Sequence, residues 1–311
     1  MLADVASVPG RPPLRFGISV VPLADTYSQI VEQVVAADRM GLELVGIQDH
    51  PYQRRFLDTF ALIGDLLART SNIRIFPDVT SLPMRPPAMI AKAAASLDVM
   101  SGGRFELGLG GGGFWEAVAG MGGTVRVDGE RLPALDEALG IIRSALDVGA
   151  ERRVVRSAGD WYPAHRYPAG PPPAHRVEIW IGAMSPGALR LIGRFADGWV
   201  PGGGMSQVAD FPRSIEVIDA AAVAAGRDPS TIRRVVNLSG VIGEGAGATD
   251  SRYVPGAGVL NGPPSQWIDT LSDWATRLGI DSFVLWPSEP TLDQIERFAN
   301  EVTPAFEQTL R

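Results

Sequence analysis

Two hydrophobic rhythms take turns along this chain. Short apolar or alternating runs cover residues 15–21, 42–48, 72–79, 104–109, 177–181, 197–200, 232–242 and 281–286, and each reads as a strand. Most are brief and apolar on both faces, as strands of a buried parallel sheet are. Between them, apolar positions recur three and four apart. Residues 27–40 carry Ile30, Val31, Val34, Val35 and Ala37 at helical spacing, with Asp38 and Arg39 on the other face. Helices are likewise predicted over residues 58–69, 86–100, 114–120, 130–148, 186–195, 206–225, 264–278 and 292–310. Asp58 serves as an N-cap, Pro86 and Pro87 open a first turn, and Gly41 and Gly102 sit where helices stop.

Eight strands alternating with helices, with no break in composition, predict a single (β/α)8 barrel, an α/β TIM barrel with insertions over residues 14–311. Residues 1–13 read as a flexible tail. Residues 160–175, rich in Pro and aromatics, read as a hairpin excursion, and the Gly/Ala-rich residues 243–258 as a mobile loop over the site. Pro77 inside the third strand argues against a regular ladder and predicts a bulge or unusual peptide beside Asp78, Thr80 and Ser81.

In such barrels chemistry gathers at the C-terminal ends of the strands, which directs attention to four segments. The fourth strand runs into Gly108-Leu109-Gly110-Gly111-Gly112-Gly113, a stretch of bare backbone suited to a sharp bend or a close approach. It formally matches a dinucleotide fingerprint, but that fingerprint belongs in a first βα turn and here three βα units precede it. The second strand delivers Asp49-His50, an imidazole beside a carboxylate. The third ends at Asp78, Thr80 and Ser81. The fifth ends in Gly182-Ala183-Met184-Ser185-Pro186-Gly187, where exposed N–H groups at a helix start suit a phosphate, and where Ser185 is equally a plain N-cap.

Composition removes several alternatives. The chain of 311 residues has no cysteine, which excludes disulfides, thiolate catalysis and Cys-ligated clusters. Its three histidines, His50, His165 and His175, form no paired motif, so no metal is expected; the last two read as structural. A net charge of −7 with scattered basic residues argues against nucleic acid as a partner. No apolar run is long enough to span a membrane and no secretion signal is evident, so the expected location is cytoplasmic and the expected partner a small-molecule substrate.

The segment from Arg85-Pro86-Pro87-Ala88 through Ala91-Lys92-Ala93-Ala94-Ala95-Ser96-Leu97-Asp98 to Ser101-Gly102-Gly103-Arg104-Phe105-Glu106-Leu107-Gly108-Leu109-Gly110 resembles the bacterial luciferase-like flavin and deazaflavin oxidoreductases. Gly193-Arg194-Phe195-Ala196-Asp197-Gly198-Trp199 matches the same family's run into its next strand, and the resemblance extends over essentially the whole chain after Pro13. It implies that Gly110, Gly111 and Gly112 lie against the coenzyme's rings. It further implies that Asp49 and His50 contact coenzyme F420 with His50 as the catalytic acid or electrostatic partner, that Asp78 and Thr80 contact the ring or side chain, and that residues 182–187 bind the phosphate.

The function so implied is hydride transfer between F420 and a small organic substrate. The alternatives are a reduced-FMN-dependent monooxygenase and a barrel that binds flavin without turnover. Family members are often dimers, so a homodimer is expected. Sugar-phosphate dehydrogenases of the family carry a Glu just after the glycine loop; here Gly113 and Phe114 stand there, which points to an apolar pocket lined by Phe114, Trp115, Trp161, Trp286 and Met184. Arg54, Arg55 and Arg85 lie on the side where the acidic tail of F420 needs a basic groove.

Overall fold

The computed structural model describes residue 8 and residues 10–147, 154–201, 210–243 and 259–310. The strands are β1 (Arg15–Val20), β2 (Leu44–Ile47), β3 (Arg74–Pro77), β4 (Thr80–Ser81), β5 (Leu107–Gly110), β6 (Val154–Ser157), β7 (Ala164–Pro168), β8 (Ile179–Gly182), β9 (Gly198–Trp199), β10 (Arg233–Ile242), β11 (Val259–Gly262) and β12 (Ser282–Pro287). The helices are α1 (Tyr27–Arg39), α2 (Thr59–Arg69), α3 (Pro87–Ser101), α4 (Trp115–Gly120), α5 (Arg131–Leu146), α6 (Pro186–Phe195), α7 (Phe211–Ala224), α8 (Pro264–Leu278), α9 (Leu292–Arg297) and α10 (Thr303–Thr309).

Nine parallel strands pair in the order β3-β2-β1-β12-β10-β9-β8-β5-β4, and β11 adds to the upper half of β10. The ring is nearly closed, because β3 and β4 are two halves of one strand position. β3 pairs with β2, and the Asp78 N–H still donates to the Ile47 carbonyl at 2.7 Å. The Asp78–Val79 peptide is then cis, and β4 pairs with β5 instead. Below this switch Ile75 bridges Phe105 and completes the circle. The irregularity expected at Pro77 is therefore a change of partner, and the single third strand expected from the sequence is two.

Strand alternation sorts the side chains into an inner and an outer set. Outward residues join α1 to α10 in one large apolar shell; there Phe16 meets Phe283, Phe298 and Phe306 at centroid distances of 5.7–6.3 Å. Inward residues stack in layers. At the N-terminal end an ionic layer fills the barrel. Arg15 faces Glu106 and Glu178 at 4.0 and 3.8 Å, while Arg233 reaches Glu178 at 3.4 Å and Asp281 at 3.1 Å. The middle layer is apolar and fully buried: Leu44, Phe76, Trp180, Val200, Val235 and Val284. The upper layer, at the C-terminal mouth, is polar.

The expected excursion is present as the antiparallel hairpin β6–β7, beginning earlier than expected. It is tied to α5 by Glu137, which accepts hydrogen bonds from the Trp161 and Tyr162 N–H groups and the Ser157 hydroxyl. The final helix is interrupted by a π-helical turn over Phe298–Val302. Within the expected tail, Val8 is buried and Arg11 donates to Asp281 at 2.8 Å and to the Pro229 and Ile232 carbonyls. Apart from Gly243, the loop expected over residues 243–258 lies outside the described residues, as do residues 206–209 of the helix expected there. No helix among the described residues is long and apolar enough to cross a membrane.

Candidate active site

The second strand hands over to Asp49 and His50, and the two behave differently. Asp49 is only 1% exposed. Its Oδ2 accepts from the Ser81 N–H at 2.9 Å and from the Arg85 guanidinium at 2.6 Å, while its Oδ1 has no partner. Burial pushes its carboxyl above the usual range, against the pull of Arg85. Arg85 reaches on to Asp58 at 2.7 Å and lies over the Phe60 ring. The carboxylate thus ties the end of β2 to β4 and does not hydrogen-bond His50.

The partner of His50 is Tyr52, whose hydroxyl lies 2.7 Å from Nδ1. Phe114, on a left-handed backbone at φ 52°, packs edge-on to the imidazole at a centroid distance of 5.4 Å and is itself 63% exposed. Burial lowers the imidazole pKa, partly offset by Asp49, so the ring is neutral at pH 7. Burial also pushes the Tyr52 phenol up to about 12. The direction of this hydrogen bond follows the tautomer: with Nδ1–H donating to the phenol oxygen, Nε2 keeps the lone pair a base needs.

The floor of the mouth is built by Asp78, Val79 and three glycines. A Cβ on Gly110 would lie 2.8 Å from a Val79 methyl and one on Gly182 2.9 Å from it; one on Gly108 would lie 2.0 Å from the Pro77 carbonyl oxygen. The bare backbone thus makes room first for Val79 of the same chain. Farther along, Gly112 has φ 103° and stands against Pro83 and Trp115, whereas Gly113 faces open space. Asp78 is half-buried and accepts a 2.8 Å hydrogen bond from the Asn237 amide. Burial pushes its carboxyl up to about 6.

Thr80 has no exposed surface, its hydroxyl is buried without a hydrogen-bond partner, and it pairs with Leu109, whose side chain belongs to the outer shell. Its hydroxyl is turned away from the mouth; Ser81, paired with Gly110, has the inward register. In residues 182–187, Ser185 caps α6 by accepting from the Ala188 N–H at 3.5 Å, and Ser185 and Pro186 are exposed. Gly182, Ala183, Met184 and Gly187 are half-buried, and the Ala183 carbonyl accepts from the Trp199 indole at 2.8 Å.

The aromatic set expected to line one pocket is dispersed. Trp115 lies under Arg131, Trp161 under Arg126, and Met184 packs on the shell. The expected basic groove is largely engaged elsewhere: Arg85 by Asp49 and Asp58, and Arg55 by Asp25. His175 is structural, bridging Asp98 at 2.7 Å and Glu106 at 3.3 Å at the opposite end of the barrel, and His165 is exposed. Sequence reasoning missed Ser19, Tyr52, Val79 and Asn237. Of these, Asn237, a lone amide in the alternating run Val235-Val236-Asn237-Leu238, was legible as an inward polar residue.

Ser19 Oγ, Asp49 Oδ1 and Asn237 Oδ1 are buried without a hydrogen-bond partner. Buried polar atoms are rarely left so. Together with the half-buried Val79 they describe a floor made to be covered by something flat with polar edges. Beside it, past the end of β1, a cavity of about 300 Å3 opens between α1 and the segment after β12.

The sequence profile of the luciferase-like monooxygenase family matches residues 10–279. The chain belongs to this family. An uncharacterised protein of Mycobacterium tuberculosis is 32% identical over 199 residues, 64% of this chain and 66% of that one. The phthiodiolone/phenolphthiodiolone dimycocerosates ketoreductase of Mycobacterium tuberculosis is 32% identical over 181 residues, 56% of this chain. The matched part thus spans just under two thirds of the first relative's length and 45% of the second's. Two solved structures share the fold at low identity. One, an F420-dependent secondary alcohol dehydrogenase in complex with an F420-acetone adduct, has a TM-score of 0.78 at 20% identity, over 94% of this chain and 99% of that one. The other, the oxygenating constituent of 3,6-diketocamphane monooxygenase of Pseudomonas putida in complex with FMN, has a TM-score of 0.71 at 18% identity, over 94% and 98%.

Proposed function

We propose that this protein is an F420-dependent oxidoreductase that transfers a hydride between the deazaflavin coenzyme and a small organic substrate. The observation that carries this reading is the mouth floor. Val79 presents an apolar seat between the strand-end glycines, with the neutral His50 and the unpartnered polar atoms of Ser19, Asp49 and Asn237 around the mouth. These residues fit a flat heterocycle with polar edges. Gly110, Gly111 and Gly112 would border its ring, and the first N–H groups of α6 after Ser185 would meet its phosphate. When bound, F420 supplies the hydride acceptor or donor.

The chain's own residues do the rest. His50, neutral and half-buried, takes the hydroxyl proton of an alcohol as the hydride leaves its carbon; in the reverse direction the imidazolium returns that proton to the carbonyl oxygen. Tyr52 and Phe114 hold the ring and keep water from it. The names of the F420-dependent dehydrogenase and the mycobacterial ketoreductase support the same class of reaction.

One observation favours FMN as the second reading. Arg85 and Arg55 are already held by carboxylates, and FMN, which ends at its phosphate, needs no basic groove for a tail. The test is a fluorescence titration of the purified chain with oxidised F420 and, separately, FMN. Micromolar F420 binding with feeble FMN binding is expected. His50→Ala is then expected to lower turnover by about 10²–10⁴-fold while leaving F420 affinity within a few-fold. Tight FMN binding with no F420 binding overturns the reading.

A further inference from the structure

We propose that the cavity beside the mouth is a binding site for a small, uncharged organic molecule carrying one oxygen acceptor, such as a ketone, an alcohol or an ester. As the place of the substrate it rests on the hydride-transfer reading; as a binding site it stands without it. Ser19, Ser239 and Trp286 lie at neighbouring register positions of β1, β10 and β12 and on the same strand face as Asn237, so the cavity shares the barrel mouth. Ser19 is the residue shared with the floor of the mouth; Asp49, Asp78, Val79, Asn237, the floor glycines and residues 182–187 do not line it.

Charge, size and hydrogen bonding together define the ligand. Among the described residues lining the cavity none is charged, so an ionic ligand would lose its water without gaining a counterion there. Its volume is about 300 Å3, twice that of a cavity of about 150 Å3 that holds benzene. That is room for a molecule of one or two rings against Trp286 and Ile30. Most polar groups on its wall are occupied. The Gln29 and Gln33 amides both donate to the Pro290 carbonyl, at 2.5 and 2.6 Å, and the Thr26 hydroxyl donates to the Leu23 carbonyl at 3.4 Å. The Ser19 hydroxyl is buried and has no partner. It is the fully buried donor on the wall, and the Ser239 hydroxyl and Trp286 indole N–H lie on the same side of the cavity for a carbonyl or hydroxyl oxygen.

Saturation-transfer NMR on the full chain tests this with cyclohexanone and with cyclohexanecarboxylate, the same ring carrying a charge. Cyclohexanone is expected to bind at low millimolar concentration or below, and the carboxylate at least tenfold more weakly. Ser19→Ala should weaken cyclohexanone by about two- to tenfold, the range for one neutral hydrogen bond. Gln29→Trp, placed from the exposed face of α1, should abolish it by filling the space. F420 and FMN titrations on the same samples separate the two ideas. Cyclohexanone binding without any coenzyme binding sinks the hydride-transfer reading and leaves the cavity. Equal binding of the carboxylate, or cyclohexanone binding untouched by Gln29→Trp, overturns the cavity proposal whatever the coenzyme does.

Discussion

Asp78→Asn should make this protein more stable above neutral pH. The carboxyl titrates near 6 in the folded chain, because burial in the mouth outweighs the single hydrogen bond from Asn237, against 3.8 when free. Between those values the folded state holds a proton that the unfolded state releases, so stability falls as pH rises from about 4 to about 6 and then stays low. The displacement is a little over two pH units, worth about 1.4 kcal/mol each. Half-burial trims it, and we expect about 1–3 kcal/mol. Asparagine mimics the protonated acid and keeps an oxygen for the Asn237 amide. Urea unfolding of both proteins at pH 3, 6 and 8 should therefore give nearly equal stabilities at the lowest pH and a gap in favour of the variant that is mostly open by pH 6 and complete at pH 8. A gap that is absent at pH 8, or that is the same at all three values, refutes the argument. A substitution that stabilises the fold at a mouth residue is what a site built for binding predicts.

Three further outcomes follow from the same structure. Gly108→Ala puts a Cβ 2.0 Å from the Pro77 carbonyl and should cost at least about 3 kcal/mol or prevent folding, whereas Gly113→Ala meets nothing within 4 Å and should leave the melting temperature within a degree or two. His175, pushed up to about 9 by its hydrogen bonds to Asp98 and Glu106, should stabilise the fold over His175→Gln by up to about 3 kcal/mol below pH 6.5; denaturation curves should show that advantage lost as pH rises through 9. Arg85→Ala leaves the buried Asp49 carboxylate without its counterion and should cost about 3 kcal/mol at pH 7, less as the pH falls toward the raised pKa of Asp49; a pH-independent loss would contradict that account.

Much of this architecture was legible because local chemistry and burial agree. The run 72–79 was read as a strand from its apolar residues and as an irregular one from Pro77, and both are true of the place where the chain leaves β2 for β5. Asp58 caps α2 by accepting from the Ala61 N–H at 3.0 Å, and Gly102 ends α3 at φ 69°. What was not legible depends on contacts between distant positions. The methyls of Val79 fill space beside Gly110 and Gly182, so the glycines were visible while the group they admit was not. The change of partner at Asp78–Val79 sets the parity of Thr80, so a hydroxyl expected at the mouth is in the shell. Asp49 looked like the orienting partner of His50, but its bonds run to Ser81 and Arg85, residues that meet it only once β4 is in place.

The two ends of the barrel use titratable groups to opposite ends. At the N-terminal end, Arg15, Arg74, His175 and Arg233 engage the carboxylates of Asp98, Glu106, Glu178 and Asp281, and His175 is held charged by its neighbours at neutral pH. At the mouth, burial acts with less compensation. It lifts Asp78 to about 6 and lowers His50, which brings an acid and a base toward the same pH range on one floor. The N-terminal layer pairs its charges, while the mouth leaves buried polar atoms of Ser19 and Asn237 without a hydrogen-bond partner and gains by being covered. Changes at the N-terminal end should therefore move stability and leave ligand affinity alone, whereas changes at the mouth should move affinity, and stability as well where a buried charge is altered, as at Asp78. Asp49 and Arg85 show this most directly: the pair stands at the mouth yet fixes β2 to β4, so its loss is expected to move both.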